Sequence, residues 1–494
     1  MRNIDQWKRV LDKKIPKIYG AIVSGVLLVL LLMFSICVNL DETLIAVSLI
    51  AVLAIFLRQI EFDQKIIQIR NVPIILFLVT FMVRYSYCCI FEPITRQTSD
   101  FGITLWEAQS GSFVDMTEYY RYYLHKFFYP FFLHLFGFRT QSSILFLQCV
   151  LASFIPVILY FIGKKIQNEK LGLLAAGAYI IWPSQIFYMT IISEEHLAAL
   201  ITVLIVFLLI DLVQKIENKD SSLSHPKKLF GEFVLVGLSC GLSAFLKDWA
   251  IIVLIAVAVC ALYLLIKYDR RQRCILIAGI LLMLFTRSMV QTGISVLAES
   301  KLGIEANNGV VTAQMYVSLD PEGKGLWDPE RLSDYQEIVR ENEYNFSDAN
   351  KQAMQELIQK IKDNLGKMPS FLLYKGTNAY SDDADMLTWA LDNQMNPDYH
   401  QYFIGFIFVW KGISNLIYVF FVLCLCISAI TLRNKYVFFI ELIVVGSILS
   451  GLLIECQGRY KYSIEPIWCV LIANAIYVLA RRQRTELKSF YKKK

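Results

Sequence analysis

Charge is scarce in this chain. Only 18% of its 494 residues are Asp, Glu, Lys or Arg, while 56% are hydrophobic. A water-soluble domain needs more polar surface than that, so a soluble globular protein is excluded. Cysteine pairs are missing as well. The 11 cysteines lie scattered, mostly in apolar segments, and no CxxC occurs. Cys88 and Cys89 are adjacent and Cys424 and Cys426 stand two apart, spacings that suit neither a tetrahedral metal site nor a disulfide framework. They read as core or lipid-facing thiols. No internal repeat and no low-complexity stretch appears. A large excess of one charge is absent too: the net +6 gathers in short loops and at both termini, which points to membrane topology and not to nucleic acid. No small-residue cleavage site follows the basic first 17 residues, so the first apolar stretch reads as a retained anchor.

What the chain has is long apolar runs. Ile22–Leu40, Ile74–Ile90, Leu197–Ile210, Ile251–Ile266 and Ile275–Phe285 are the strongest. Many runs approach the roughly 20 residues that a helix needs to cross the hydrocarbon core. Helices are the choice there, because an isolated strand in lipid leaves backbone groups without partners. Twelve spans are expected, at 18–40, 43–58, 71–91, 142–163, 171–192, 197–214, 231–247, 249–267, 275–298, 412–432, 436–454 and 462–480.

Charge placement orients them. With an inner N-terminus, the inner loops carry Lys65, Arg70, Lys164, Lys165, Lys170, Lys215, Lys219, Lys227, Lys228, Arg270, Arg271, Arg273, Arg433 and Lys435. The basic tail after residue 480 also falls inside, which favours an even number of spans. Two long segments fall outside. The first, 91–141, is rich in aromatics, as interfacial helices are. The second, 299–401, repeats Met354, Leu357, Ile358, Ile361 and Leu365 at helical spacing, with Ser347 as expected N-cap and Gly366 as expected stop. The chain therefore divides into a bundle over 1–298 with its first outer loop at 91–141, an outer domain over 299–401, and terminal helices with a basic tail over 402–494.

The polar chemistry gathers at the outer ends of the spans, whereas a transporter keeps its ionisable groups near the midplane. Asp100 follows the third span among apolar neighbours, where a carboxylate is held as a general base needs; an N-cap is the competing reading. Glu194, Glu195 and His196 form the turn after span five, and can hold a divalent cation, position a phosphate-bound water, or merely start a helix. Lys247 and Asp248, and then Arg459, Tyr460 and Lys461, offer outward cations suited to a phosphate, or else snorkelling helix ends. Arg287 lies deep in span nine and must meet a partner or water; Arg84 lies nearer an outer end. His125 and Lys126 precede Tyr129-Pro130, an element that also reads as an interfacial helix broken by proline.

These motifs, in this order, resemble the GT-C membrane glycosyltransferases, in particular the branch with the protein O-mannosyltransferases and the aminoarabinose transferase of lipid A. The match runs through Asp100 in TSDF, Tyr129-Pro130 in FFYPFFLHLFG, and Pro183, Ser184, Ser193 and Glu194 in WPSQIFYMTIISEEHL. It continues through Lys247 in GLSCGLSAFLKDW to Glu455, Arg459 and Tyr460 before the last span. The first loop has one acid where the O-mannosyltransferases have an Asp-Glu pair, and two extra spans precede it.

The resemblance implies an all-α polytopic membrane protein: a GT-C-like bundle with interfacial helices in the first outer loop and a small outer domain. It implies transfer of a sugar from a polyprenyl-phosphate donor to a hydroxyl on a lipid, glycan or protein, with inversion. Asp100 would be the base. Arg459, Lys247, Tyr460 and Arg287 would bind the donor phosphate, while Glu194, His196, Glu107, Tyr129 and Lys126 would position donor and acceptor. No cofactor is certain; a divalent cation, if one is used, would fall to Glu194 and His196. Membrane lipids are expected partners and nucleic acid is not. The expected place is a plasma membrane, bacterial by its lysine-rich tail, with both termini cytoplasmic. A lipid-linked saccharide flippase, a polysaccharide polymerase and a non-catalytic scaffold remain the rival readings.

Overall fold

The computed structural model describes residues 20–59, 71–218, 226–304, 310–321, 323, 325, 328–431, 434–455 and 457–492. The expected inner cations Lys65, Arg70, Lys219 and Arg433, and the basic residues 1–17, lie outside them. Among the described residues there is no strand, only an isolated antiparallel bridge between Thr95 and Met395.

Helices overlie every expected span. They are α1 (Gly20–Ile36), α2 (Leu40–Gln59) and α3 (Val72–Phe91). The first loop follows as α4 (Ser99–Ser110), α5 (Thr117–Tyr122) and α6 (Phe128–Leu135), all short, as interfacial helices are. Then come α7 (Gln141–Ile166), α8 (Glu169–Ile181), α9 (Pro183–Phe187), α10 (Glu195–Glu217), α11 (Pro226–Ser243), α12 (Trp249–Lys267) and α13 (Arg270–Leu302). The long segment beyond holds α14 (Val310–Ser318), α15 (Pro329–Glu341), α16 (Phe346–Asp363), α17 (Met368–Tyr380) and α18 (Ala384–Leu387). The chain closes with α19 (Pro397–Thr431), α20 (Lys435–Leu453) and α21 (Glu465–Lys492).

The protein is an all-α polytopic membrane protein. Among the described residues seven helices are long and apolar enough to cross a membrane, and nine spans result if each of two bent pairs counts as one. The bends depart from the straight spans expected. The helix of 171–192 breaks by 63° between α8 and α9. Pro183 causes it: proline disfavours helical backbone in the residue before it, and Trp182 is extended at φ −73°, ψ 112°. The first two expected spans form the second bent pair, turning by 119° between α1 and α2.

The core is built around α7, which packs on α3, α8 and α10, and around α21, which packs on α8 and α19. Glycine permits the closest contact. A Cβ on Gly172 would come within 2.2 Å of the Tyr160 carbonyl oxygen, so α7 and α8 touch backbone to backbone there. In the long segment, Leu357 of α16 is buried against Leu319 and Phe371. Ile358 and Leu365, expected on the same face, are 45% and 66% exposed. The cap is also shifted: the Asn345 side chain accepts the Ser347 and Asp348 N–H groups, so Ser347 is the second helical residue and not the cap.

Candidate active site

The break at Pro183 leaves residues 182–194 crossing one end of the bundle as short turns, almost wholly buried. Buried backbone must find partners, and glutamines supply them. Gln148 donates to the Ile191 carbonyl at 2.9 Å and accepts from the Ser193 N–H at 3.2 Å and the Tyr129 hydroxyl at 3.1 Å. Gln97 donates to the Thr190 carbonyl at 2.8 Å and accepts from the Ile192 N–H at 3.0 Å. Gln185 ties α9 to the other end of the chain, donating to Glu465 at 2.8 Å and to the Tyr462 carbonyl at 3.0 Å.

This frame fixes Glu194 at the start of α10. Its carboxylate pairs with Lys126 of the first loop and lies 4.0 Å from Lys247 Nζ. Lys247 Nζ is also 3.5 Å from Glu195 and 4.3 Å from the centre of the Tyr460 ring. Burial pushes the Glu194 carboxyl up, but Lys126 and Lys247 overcome it and hold it down at about 2. Burial works against the Lys126 charge, yet Glu194 raises its pKa above the usual lysine range. Lys247 goes the other way: burial, helped by Lys126, lowers it. Burial with the same two cations pushes His125 down to about 3, so that ring is neutral at physiological pH. Glu195 accepts from the Tyr188 hydroxyl at 2.6 Å and the Ser193 hydroxyl at 3.1 Å.

Arg459 lies beside this cluster in a short 3-10 turn, Gly458–Lys461. Its guanidinium carbon sits 4.5 Å from the centre of the Trp389 ring, 5.1 Å from Phe101 and 5.3 Å from Tyr460. Its Nε donates to Gln457 Oε1 at 2.7 Å, and its main-chain N–H to Asp385 at 3.0 Å. Among the described residues no carboxylate pairs with its side chain within 4.0 Å, so its charge is unclaimed. Tyr460 donates to Glu455 at 3.0 Å.

Asp100 stands in the first turn of α4, half-buried, within electrostatic reach of Lys126, Arg459, Tyr119 and Tyr123. Its carboxylate caps no helix: the N-cap is Thr98, and no side chain of that turn makes a cap bond. Ser99 just before it has φ +54°, a left-handed backbone that costs a non-glycine residue about 1–2 kcal/mol. Asp100, Glu194, Lys126, Lys247, Arg459 and Tyr460 thus share one rim of the bundle.

The other expected residues are placed differently. Both ring nitrogens of His196 are engaged, Nδ1 with the Tyr462 hydroxyl at 2.8 Å and Nε2 with the Ile191 carbonyl at 3.1 Å. With Glu194 held by Lys126, these two do not fit a cation seat. Among the described residues no group of three or more His, Cys, Asp or Glu is arranged to hold a metal. Tyr129 is spent on Gln148. Glu107 is fully buried, accepts from Tyr120, and has a second oxygen without a partner. Burial raises its carboxyl to about 7, against the lowering effect of Tyr120. Arg287 meets its partner in Asp248 at 2.8 Å, the residue next to Lys247. Sequence reading missed Gln97, Gln148, Gln185, Trp389 and Gln394. The glutamines carry no local signal, because the backbone each one serves comes from a distant segment.

The fold is that of a polytopic membrane protein, and these charged groups gather on one rim of its bundle. Residues 123–291, about a third of the chain, match the family model described as dolichyl-phosphate-mannose-protein mannosyltransferase. The matched stretch includes Lys126, Glu194 and Lys247; Asp100 and Arg459 lie outside it. The comparison with curated proteins found no match. Among solved structures, the chain is similar to the archaeal oligosaccharyltransferase AglB from Archaeoglobus fulgidus, solved with an inhibitory peptide and a dolichol-phosphate. Identity is 11% and the TM-score 0.32, over 82% of this chain. The chain spans about 55% of that enzyme's length.

Proposed function

We propose that the protein transfers a sugar from a polyprenyl-phosphate donor to a hydroxyl acceptor, with inversion at the anomeric carbon. One observation carries this reading: an unclaimed cation, Arg459, and a carboxylate that caps nothing, Asp100, lie in electrostatic reach on one rim. The acceptor hydroxyl gives its proton to Asp100 as its oxygen bonds the anomeric carbon. The bond from that carbon to the phosphate oxygen breaks on the opposite face, and the lipid phosphate leaves with the electron pair. Arg459 meets the charge that grows there, and Lys247, only loosely held at 3.5 and 4.0 Å, turns towards it. Glu194 and Glu195 keep Lys247 near the rim. Residues 299–401 cover the rim and help to choose a lipid, glycan or protein acceptor. The rim faces the extracytoplasmic side of a plasma membrane, bacterial by its basic tail, with both termini in the cytoplasm.

Asp100→Asn tests the reading, since the carboxamide keeps the shape and loses the base. The purified protein is given a panel of polyprenyl-phosphate sugars, and released polyprenyl phosphate is measured. Transfer should fall about 10²–10⁴-fold with donor affinity retained. A folded variant that transfers at the full rate removes Asp100 from the chemistry.

A further inference from the structure

Asp100 follows a loop, 94–98, that is held from two sides. On one side Gln97 binds the 190–192 turn through both ends of its amide. On the other side stands Gln394, 0% exposed, just beyond the π-helical turn Thr388–Asn393. Its side-chain Oε1 accepts the Thr98 N–H at 2.6 Å, and its main-chain carbonyl accepts the Arg96 N–H at 2.6 Å. The Asn396 N–H donates to the Ile94 carbonyl at 2.7 Å, and Thr95 bridges Met395. The Thr98 side chain makes no cap bond to α4, and the amide of Thr98 is claimed by a residue 296 positions away.

Two details separate this tie from ordinary packing. Ser99, between Thr98 and Asp100, is left-handed at φ +54°, and a strained residue persists only where its neighbours fix it from outside. The Gln394 amide nitrogen is buried without a partner, so the side chain is used for its accepting oxygen alone. The same stretch carries Asp385 and Trp389, which hold the Arg459 main chain and guanidinium. One short segment thereby sets the loop of Asp100 and the turn of Arg459 in register.

We propose that Gln394 is a positioning residue for Asp100: its side-chain oxygen holds the Thr98 amide, keeps Ser99 left-handed, and so aims the Asp100 carboxylate at the acceptor. The proposal rests on Asp100 acting as the base. Three variants of the full chain in lipid nanodiscs test it. Gln394→Met keeps the length and loses the acceptor. Gln394→Glu keeps the accepting oxygen and puts a second carboxyl oxygen where the partnerless amine stood. Ser99→Val attacks the same joint from its other side, because a β-branched residue resists positive φ. Hydrogen–deuterium exchange at the Thr98 amide should quicken about tenfold in Gln394→Met and stay slow in Gln394→Glu. With the panel of polyprenyl-phosphate sugars, kcat should fall about tenfold in Gln394→Met and in Ser99→Val with donor KM unchanged, while Gln394→Glu keeps most of it. Unchanged exchange in Gln394→Met, or a Gln394→Glu variant as impaired as Gln394→Met, overturns the proposal. Asp100→Asn is assayed alongside. Full transfer by that variant sinks the base assignment, whereas an inactive Asp100→Asn beside a fully active Gln394→Met sinks the positioning role alone.

Discussion

Replacing Lys126 by Met should unsettle the rim through Glu194. Lys126 is the larger of the two cations that hold that carboxyl at about 2 against its ordinary 4.5. That depression corresponds to about 3 kcal/mol of folding stability at neutral pH, most of it owed to the Lys126 pair. Lys126 and Glu194 side chains are 21% and 9% exposed, so solvent cannot replace the lost partner. The sign fixes the pH window. A depressed carboxyl stabilises the fold above about 4.5, and the gain is lost as pH falls towards 2, so the gap between wild type and Lys126→Met should narrow below pH 4.5. Adding Glu194→Gln should recover most of the loss, because no charge is then left buried alone. Reversible unfolding in mixed micelles, run as a double-mutant cycle, measures all four proteins. Strictly additive losses would refute the pairing, as would a single variant as stable as wild type.

Glu107→Gln should act with the opposite sign. Its carboxyl is raised to about 7, so the wild-type fold weakens as pH rises from about 4.5 through 7, by at most about 3 kcal/mol; the variant should lack that slope in melting scans from pH 5 to 8. Trp389→Ala removes the ring 4.5 Å from the Arg459 guanidinium and should raise donor KM several-fold, about 1 kcal/mol, in a steady-state titration of donor.

The apolar runs were legible as helices because lipid imposes a single rule on composition and length, but their number was not: twelve spans were expected, and the described residues give at most nine. Trp249–Lys267, with a mean hydropathy of 3.0, needs no tertiary information to be read as a helix in a membrane. Glu194, Lys247 and Arg459 were legible as site candidates because charge at a helix end of an apolar chain stands out. Their pairing was not. Nothing local says that Lys126, 68 positions before Glu194, meets its carboxylate, or that Arg287 meets Asp248 39 positions away. Pro183 carried a local signal of its bend, since proline acts on its own neighbours, but the expected span ran straight through it. Gln97, Gln148 and Gln394 announced nothing, because an amide serves whichever backbone the fold brings to it.

Helices α13 and α19 run for 33 and 35 residues. At 1.5 Å per residue each is about 50 Å long, some 20 Å beyond the apolar slab. Each can therefore cross the slab and still carry several turns of helix past it. That excess leaves either helix free to tilt and still span a thinner or thicker bilayer, and along the second shaft Tyr402 and Phe408 lie 77% and 78% exposed.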